Sequence, residues 1–228
     1  MAPEGIEMTR FLDRQEAGRM LAIVLADYAG RDDVLVLALP RGGVPVGFAV
    51  ARALGAPLDI LVIRKLGAPG REELAMGAVA SGGVRVVNRD VVASLGISEA
   101  SLDAAVARHA GEVEKLEDAC RGDVPRLDVT AKTCIVVDDG LATGATMRAG
   151  IAALRRRAAA SVIAALPVAS REACALVAEE ADDFVCLMRP PMFLAVGEWY
   201  VDFSQVTEGE VRALLARSQI APPDAAAA

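Results

Sequence analysis

Cys134-Ile135-Val136-Val137-Asp138-Asp139-Gly140-Leu141-Ala142-Thr143-Gly144-Ala145-Thr146 runs from a hydrophobic strand into two adjacent carboxylates, then through small residues into a helix. The loop's small residues let backbone N–H groups come close to an anion. Thr143 and Thr146 add hydroxyl donors, and the helix N-terminus adds its dipole. Gly140, Ala142, Thr143, Gly144, Ala145 and Thr146 therefore read as a phosphate cradle. It is neither a Walker A loop, which needs Gly-Lys-Ser/Thr where this chain has Gly144-Ala145-Thr146, nor a GxGxxG turn. Asp138 and Asp139 would repel a bare phosphate, but two acceptors beside a cradle suit a ligand with a ribose diol next to its phosphate. The alternative, a plain turn cap, needs only one Asp.

Outward from this stretch the same alternation recurs. Residues 34–39, 58–64, 133–138, 161–168 and 183–188 read as near-continuously apolar strands, the pattern of a sheet covered on both faces. Helices are expected at 44–54, at 98–120 with Ser98 as N-cap, at 143–159 and at 170–181. A further helix starts from an Asp13/Glu16 capping box and reaches about Tyr28. This pattern predicts an α/β fold, a mostly parallel, doubly wound sheet flanked by helices with right-handed crossovers. Ligands of such sheets bind beyond the carboxyl ends of the strands. The expected organisation is one domain over 1–220, with a hood region at about 189–205 and a disordered tail at 221–228.

Composition narrows the function. Of 228 residues, 54% are apolar and 24% charged, which excludes a disordered or disulfide-scaffold chain. The net charge of −7 argues against nucleic acid and anionic membranes as partners, so any phosphate site must be local. Cys120, Cys134, Cys174 and Cys186 lack CxxC spacing and read as inert reduced thiols, and the single His109 has no metal partners nearby in sequence. No secretory signal is visible, and the longest apolar run, 158–169, is too short to span a bilayer. A soluble cytoplasmic protein is expected. The run 155–157 of three arginines reads as a solvated helix face.

Residues 136–146 resemble the 5-phosphoribosyl-1-pyrophosphate (PRPP) signature of the type I phosphoribosyltransferases, and the likeness extends from about Asp33 to Phe203. The resemblance implies that Asp138 and Asp139 bind the ribose hydroxyls and that the following loop holds the 5-phosphate. It makes Leu39-Pro40-Arg41-Gly42-Gly43 the pyrophosphate loop, which in the family often contains a cis non-proline peptide. A plain turn with a solvent-facing Arg41 is the alternative there. Arg64-Lys65, followed by the Gly/Pro-rich segment 66–78, reads as a mobile cover bringing positive charge over the leaving pyrophosphate. Lys65 is the stronger candidate of the two. Glu73 with 75–78 looks like a signature of a bacterial subgroup. The resemblance further implies Mg²⁺, held at Asp138 and Asp139 mostly through PRPP and water, an unidentified acceptor that is a nucleobase or a related compound, and a homodimer. The hood would recognise that acceptor through Trp199 and Tyr200, unless Trp199, Tyr200 and Phe203 simply plug the core edge. The catalytic residues would be Asp138, Asp139, Lys65 and Arg41, with Arg64, Gly42 and Gly43 binding substrate. A non-catalytic PRPP-sensing protein of the same fold is the competing reading.

Overall fold

Val34-Leu35-Val36-Leu37-Ala38 and Thr133-Cys134-Ile135-Val136-Val137 are buried at every position, as strands covered on both faces must be. The computed structural model describes residues 10–219, so the tail expected at 221–228 lies outside the described residues. Along the chain come α1 (Arg14–Val24), β1 (Val34–Ala38), α2 (Gly43–Leu54) and β2 (Leu58–Ile60). Next are β3 (Ile63–Ala68), β4 (Arg71–Ala80), β5 (Val84–Val87), α3 (Arg89–Ser94) and α4 (Glu99–Arg121). The chain continues through β6 (Thr133–Val137), α5 (Ala145–Arg156), β7 (Ser161–Val168), α6 (Arg171–Ala178), β8 (Asp183–Met188) and α7 (Glu208–Ser218).

The main sheet is parallel throughout, in the order β2-β1-β6-β7-β8. Its residues alternate between two cores. Val34, Val36, Ala38, Ile135 and Val137 join one, with side chains of α1, α2 and α7. Leu35, Leu37, Cys134 and Val136 join the other, with those of α5 and α6. The doubly wound sheet read from the sequence is therefore the fold. Each buried Val or Leu contributes about 1.5–3 kcal/mol of apolar transfer free energy.

The run 58–64 is not one strand. β2 ends at Ile60, the chain turns through Leu61 and Val62, and β3 begins a second, antiparallel sheet in the order β3-β4-β5. Leu61 and Val62 are both buried, so no polar residue marks the corner. Ser81 pins it: its Oγ accepts from Val62 N at 2.9 Å and its N–H donates to Val62 O at 2.8 Å. The expected loop over 66–78 is instead mostly hairpin, turning at Pro69-Gly70 with Gly70 at φ +72°. α4 and α5 both pack against this small sheet.

Asp13 caps α1 as expected, accepting from Glu16 N at 2.7 Å. Glu16 does not close the box on Asp13; its carboxylate takes the Leu12 N–H at 2.5 Å. α1 stops at Val24, and a 3₁₀ turn, Ala26–Tyr28, completes the segment expected as helix. Ahead of α1, Phe11 bridges to Tyr200: Phe11 N donates to Trp199 O at 2.9 Å and Val201 N to Phe11 O at 2.8 Å. The hood thus draws on both ends of the chain.

Candidate functional site

In this strand order β1 lies between β2, reached through α2 on one face, and β6, which leads into α5 on the other. The crossovers part at the β1/β6 boundary, which makes the carboxyl ends of these two strands the switch point where an open α/β sheet binds its ligand. The loop 39–43 leaves β1 there and 138–144 leaves β6.

The two loops interlock. A Cβ on Gly42 would lie 2.1 Å from Asp139 Oδ2, and one on Gly43 would lie 2.8 Å from Val137 O and 3.1 Å from Asp138 Oδ1. Only glycine permits that approach. The Pro40–Arg41 peptide is cis. The cradle is fixed from β7: Leu141 N donates to Val168 O at 3.0 Å, Ser170 N to Leu141 O at 2.9 Å and Ser170 Oγ to Ala142 O at 2.8 Å. Gly144 precedes α5 in the left-handed conformation, φ +75°. Around it Ala142, Thr143 and Thr146 are exposed, Ala145 is half-buried, and Gly140 is buried beneath Val196 of the hood. Thr143 and Thr146 thus stand at an open helix N-terminus, as a cradle requires.

Asp138 and Asp139 are adjacent and largely buried. Burial first, then repulsion from Asp139, pushes the Asp138 carboxyl well above the usual carboxylate range, with the Asp139 N–H and Arg14 opposing. Burial raises Asp139 too, against the pull of Arg14. Each acid commits one oxygen to the protein: Asp138 Oδ1 accepts from Asp139 N at 2.9 Å, and Asp139 Oδ2 accepts from Arg14 Nε at 2.8 Å. Among the described residues, no hydrogen bond reaches Asp138 Oδ2 or Asp139 Oδ1.

Arg14 was not visible as a site residue in the sequence. It sits at the start of α1 and meets Asp139 across 125 positions, so no local spacing announces it. Beside it is a cleft of about 380 Å³ whose lining includes Arg14, Arg41, Gly42, Asp139, Phe203 and Gln205. Gln205 likewise reaches the cleft by tertiary placement alone, and Phe203, one of the hood aromatics named in the sequence, lines it too.

The structure separates Arg64 from Lys65. As neighbours on β3 they point to opposite faces, and Arg64 turns to α4, where its Nε lies 3.9 Å from Glu112. Lys65 shares its face with Ile63, which packs toward Gly150 of α5, the helix that begins at the cradle. Tyr200 needs a correction as a stacking surface. It is 3% exposed, its hydroxyl donates to Asp139 O at 2.6 Å, and burial, then the Asp139 charge, raises its phenol. A ring so enclosed offers no face to an acceptor. Trp199 is half-buried, with its indole Nε1 enclosed and unpartnered.

Cys120, Cys134 and Cys174 are buried and Cys186 is half-buried, all as free thiols. Burial pushes the Cys134 thiol up to about 11, as expected of an inert core cysteine. His109 pairs with Glu112 on α4, 3.2 Å away.

The family model for the phosphoribosyl transferase domain matches residues 9–204, from the hood's first segment to its last. The chain belongs to the phosphoribosyl transferase family. Two Mycobacterium tuberculosis proteins whose names call them candidate phosphoribosyl transferases are 44% identical over 211 residues, which is 92% of this chain. This phosphoribosyl transferase domain spans 47% of their length. Its fold matches the crystal structure of TT1426 from Thermus thermophilus with a TM-score of 0.85 at 39% identity, covering 91% of this chain and 98% of that one. Among the described residues of the phosphoribosyl transferase domain, no helix is long and apolar enough to cross a membrane.

Proposed function

We propose that this phosphoribosyl transferase domain moves the 5-phosphoribosyl group of PRPP to a nitrogen nucleophile on a nucleobase or related acceptor, releasing pyrophosphate. One observation carries this reading: two buried carboxylates, each with an uncommitted oxygen, stand at the switch point between an open helix N-terminus and a glycine loop. Phosphate, diol and pyrophosphate then fall in the order in which PRPP carries them.

As the bond from the ribose C1 to the pyrophosphate oxygen breaks, positive charge grows on the ring and negative charge on the leaving group, and the acceptor nitrogen then bonds to C1. Asp138 and Asp139 hold the hydroxyls beside the developing cation. The Gly42 and Gly43 amides, Arg41 and Lys65 receive the pyrophosphate, while the amides and hydroxyls of residues 140–146 hold the 5-phosphate. Catalysis of this kind is positioning and electrostatics, with no covalent intermediate on the protein. Among the described residues no group of three or more His, Cys, Asp or Glu could hold a metal. Two adjacent carboxylates with one free oxygen each fit Mg²⁺, which takes few protein ligands and keeps water and substrate phosphates. Bound there, Mg²⁺ would neutralise pyrophosphate charge. Trp199 remains the hood's candidate acceptor contact, and Arg64 takes a secondary place. The reading carries the cytoplasm as compartment, in keeping with four free cysteines, and a homodimer.

The test is incubation with PRPP, Mg²⁺ and a panel of nucleobases while pyrophosphate is followed. Release with at least one acceptor is expected. Tight PRPP binding with no release from any acceptor would assign the sensor reading instead, and absence of PRPP binding would overturn both.

A further inference from the structure

Arg14 makes three contacts at once from a nearly enclosed position. Its Nε donates to Asp139 Oδ2 at 2.8 Å, its Nη1 donates to Ser204 O at 2.8 Å, and its guanidinium carbon lies 3.9 Å from the Phe203 ring centroid. The side chains of Arg14 and Asp139 are 10% and 13% exposed. Removing one partner of such a pair leaves a buried charge uncompensated, a far larger cost than losing a surface salt bridge.

We propose that Arg14 is the positioning residue of the ribose site, holding Asp139 by Oδ2 so that Oδ1 is presented to the diol. The inference rests on the PRPP reading above and adds a residue to it. A carboxylate on a strand-end loop has several rotamers open to it, and fixing one costs conformational entropy that a ligand must otherwise supply. Here that cost is met before binding. Oδ2 is wedged between Arg14 and the backbone of Gly42, where even a methyl group would lie 2.1 Å away. The Tyr200 hydroxyl holds the carbonyl of the same residue at 2.6 Å. What is left of Asp139 is one oxygen in one place.

The guanidinium is the group suited to this task. Its planar fork gives Nε to the acid and Nη1 to the Ser204 carbonyl while its flat face covers Phe203, and a lysine ammonium offers neither the fork nor the face. Through Ser204 and Phe203 the same side chain ties the ribose acid to the hood. An acceptor seated under the hood and a ribose seated on Asp139 are thereby held to one frame.

The test uses calorimetry on the whole chain with three probes: PRPP with Mg²⁺, ribose 5-phosphate, and pyrophosphate without Mg²⁺, so that the third probe does not draw on the metal placed at Asp138 and Asp139. Arg14→Gln is expected to weaken PRPP and ribose 5-phosphate about 10- to 100-fold, the usual cost of losing a group that orients a ligand contact. Pyrophosphate, which has no diol, is expected to bind within twofold of wild type. Arg14→Lys should recover part of the loss, and Arg14→Gln added to Asp139→Asn should weaken PRPP no further. Equal weakening of all three probes would overturn the proposal, since that marks a direct anion contact or a general structural role. So would wild-type affinity for ribose 5-phosphate in Arg14→Gln. Should Arg14→Gln fail to fold, Arg14→Lys decides: a loss of more than twofold confined to the two ribose ligands supports the positioning role, and any other pattern removes it. Wild-type protein that binds no PRPP would instead fell the underlying reading, a result distinct from each of these.

Discussion

Asp138 is where function and stability pull apart. Its carboxyl is raised in the folded chain by burial and by Asp139, above the roughly 3.9 of an unfolded aspartate. A raised acid favours the folded state only while protonated, so the advantage is full below the unfolded pKa and is lost as pH rises through the folded pKa. Asp138→Asn is therefore expected to abolish PRPP binding and yet raise the melting temperature at pH 7. The gain should be about 1 kcal/mol, or roughly 2–4 °C for a chain of this size. Melting scans from pH 4 to 8 should show the gap between variant and wild type widening with pH. A second expectation concerns Gly42. Gly42→Ala places a methyl against Asp139 Oδ2, so it should cost at least tenfold in PRPP affinity by calorimetry, with the far-UV circular dichroism unchanged. The paired acids and paired glycines were legible in the sequence because each pair is contiguous. Arg14 and Gln205 were not, because what brings them to the acids is where α1 and the hood come to rest.

At the scale of elements, the five strands of the main sheet could be read from their apolar runs, and so could α2, α4, α5 and α6 between them, whereas the six-residue α3 is too short to show a helical period. The small antiparallel sheet could not. A run such as 58–64 looks the same whether it stays in one sheet or turns a corner, since both sides of the corner are buried. Gly67, Pro69 and Gly70 signalled a turn, but nothing distinguished a loose loop from a hairpin gripped by α4 and α5. The end of α4 is tied to β2 of the main sheet by an ion network. Glu117, 3% exposed, accepts from Arg121 at 2.9 Å and from Arg126 at 2.9 Å, and Arg121 reaches Asp59 of β2 at 2.6 Å. Removing Arg121 leaves the carboxylate of Asp59, 2% exposed, without its ion partner inside the protein. Arg121→Ala should lower unfolding stability by about 3 kcal/mol, read as a lower denaturant midpoint with the m-value unchanged.

Across the whole molecule, acidity does not conflict with the proposed phosphate site. The net charge of −7 is spread over 228 residues, while the amides and helix end proposed to hold the phosphate contribute nothing to the count, and on the same reading two of the acidic residues serve the ligand's sugar. The hood joins these parts, and it contains the chain's single tryptophan. Trp199 emission should change in a saturable way on titration with PRPP and Mg²⁺, with the same midpoint as calorimetry; a flat trace would show that the hood does not respond to the ribose site.

The span between Arg14 and its partners also has a meaning for synthesis. Arg14 leaves the ribosome 125 residues before Asp139 and 190 before Ser204. At about 5–20 residues per second, the arginine waits roughly 10–40 seconds for its last carbonyl. A nascent chain stalled after β6 would present Asp138 and Asp139 with no hood to hold them. A product ending between residues 189 and 203 would carry the whole main sheet and both acids yet lack the Ser204 carbonyl, and on the proposed reading its ribose site would be unsettled.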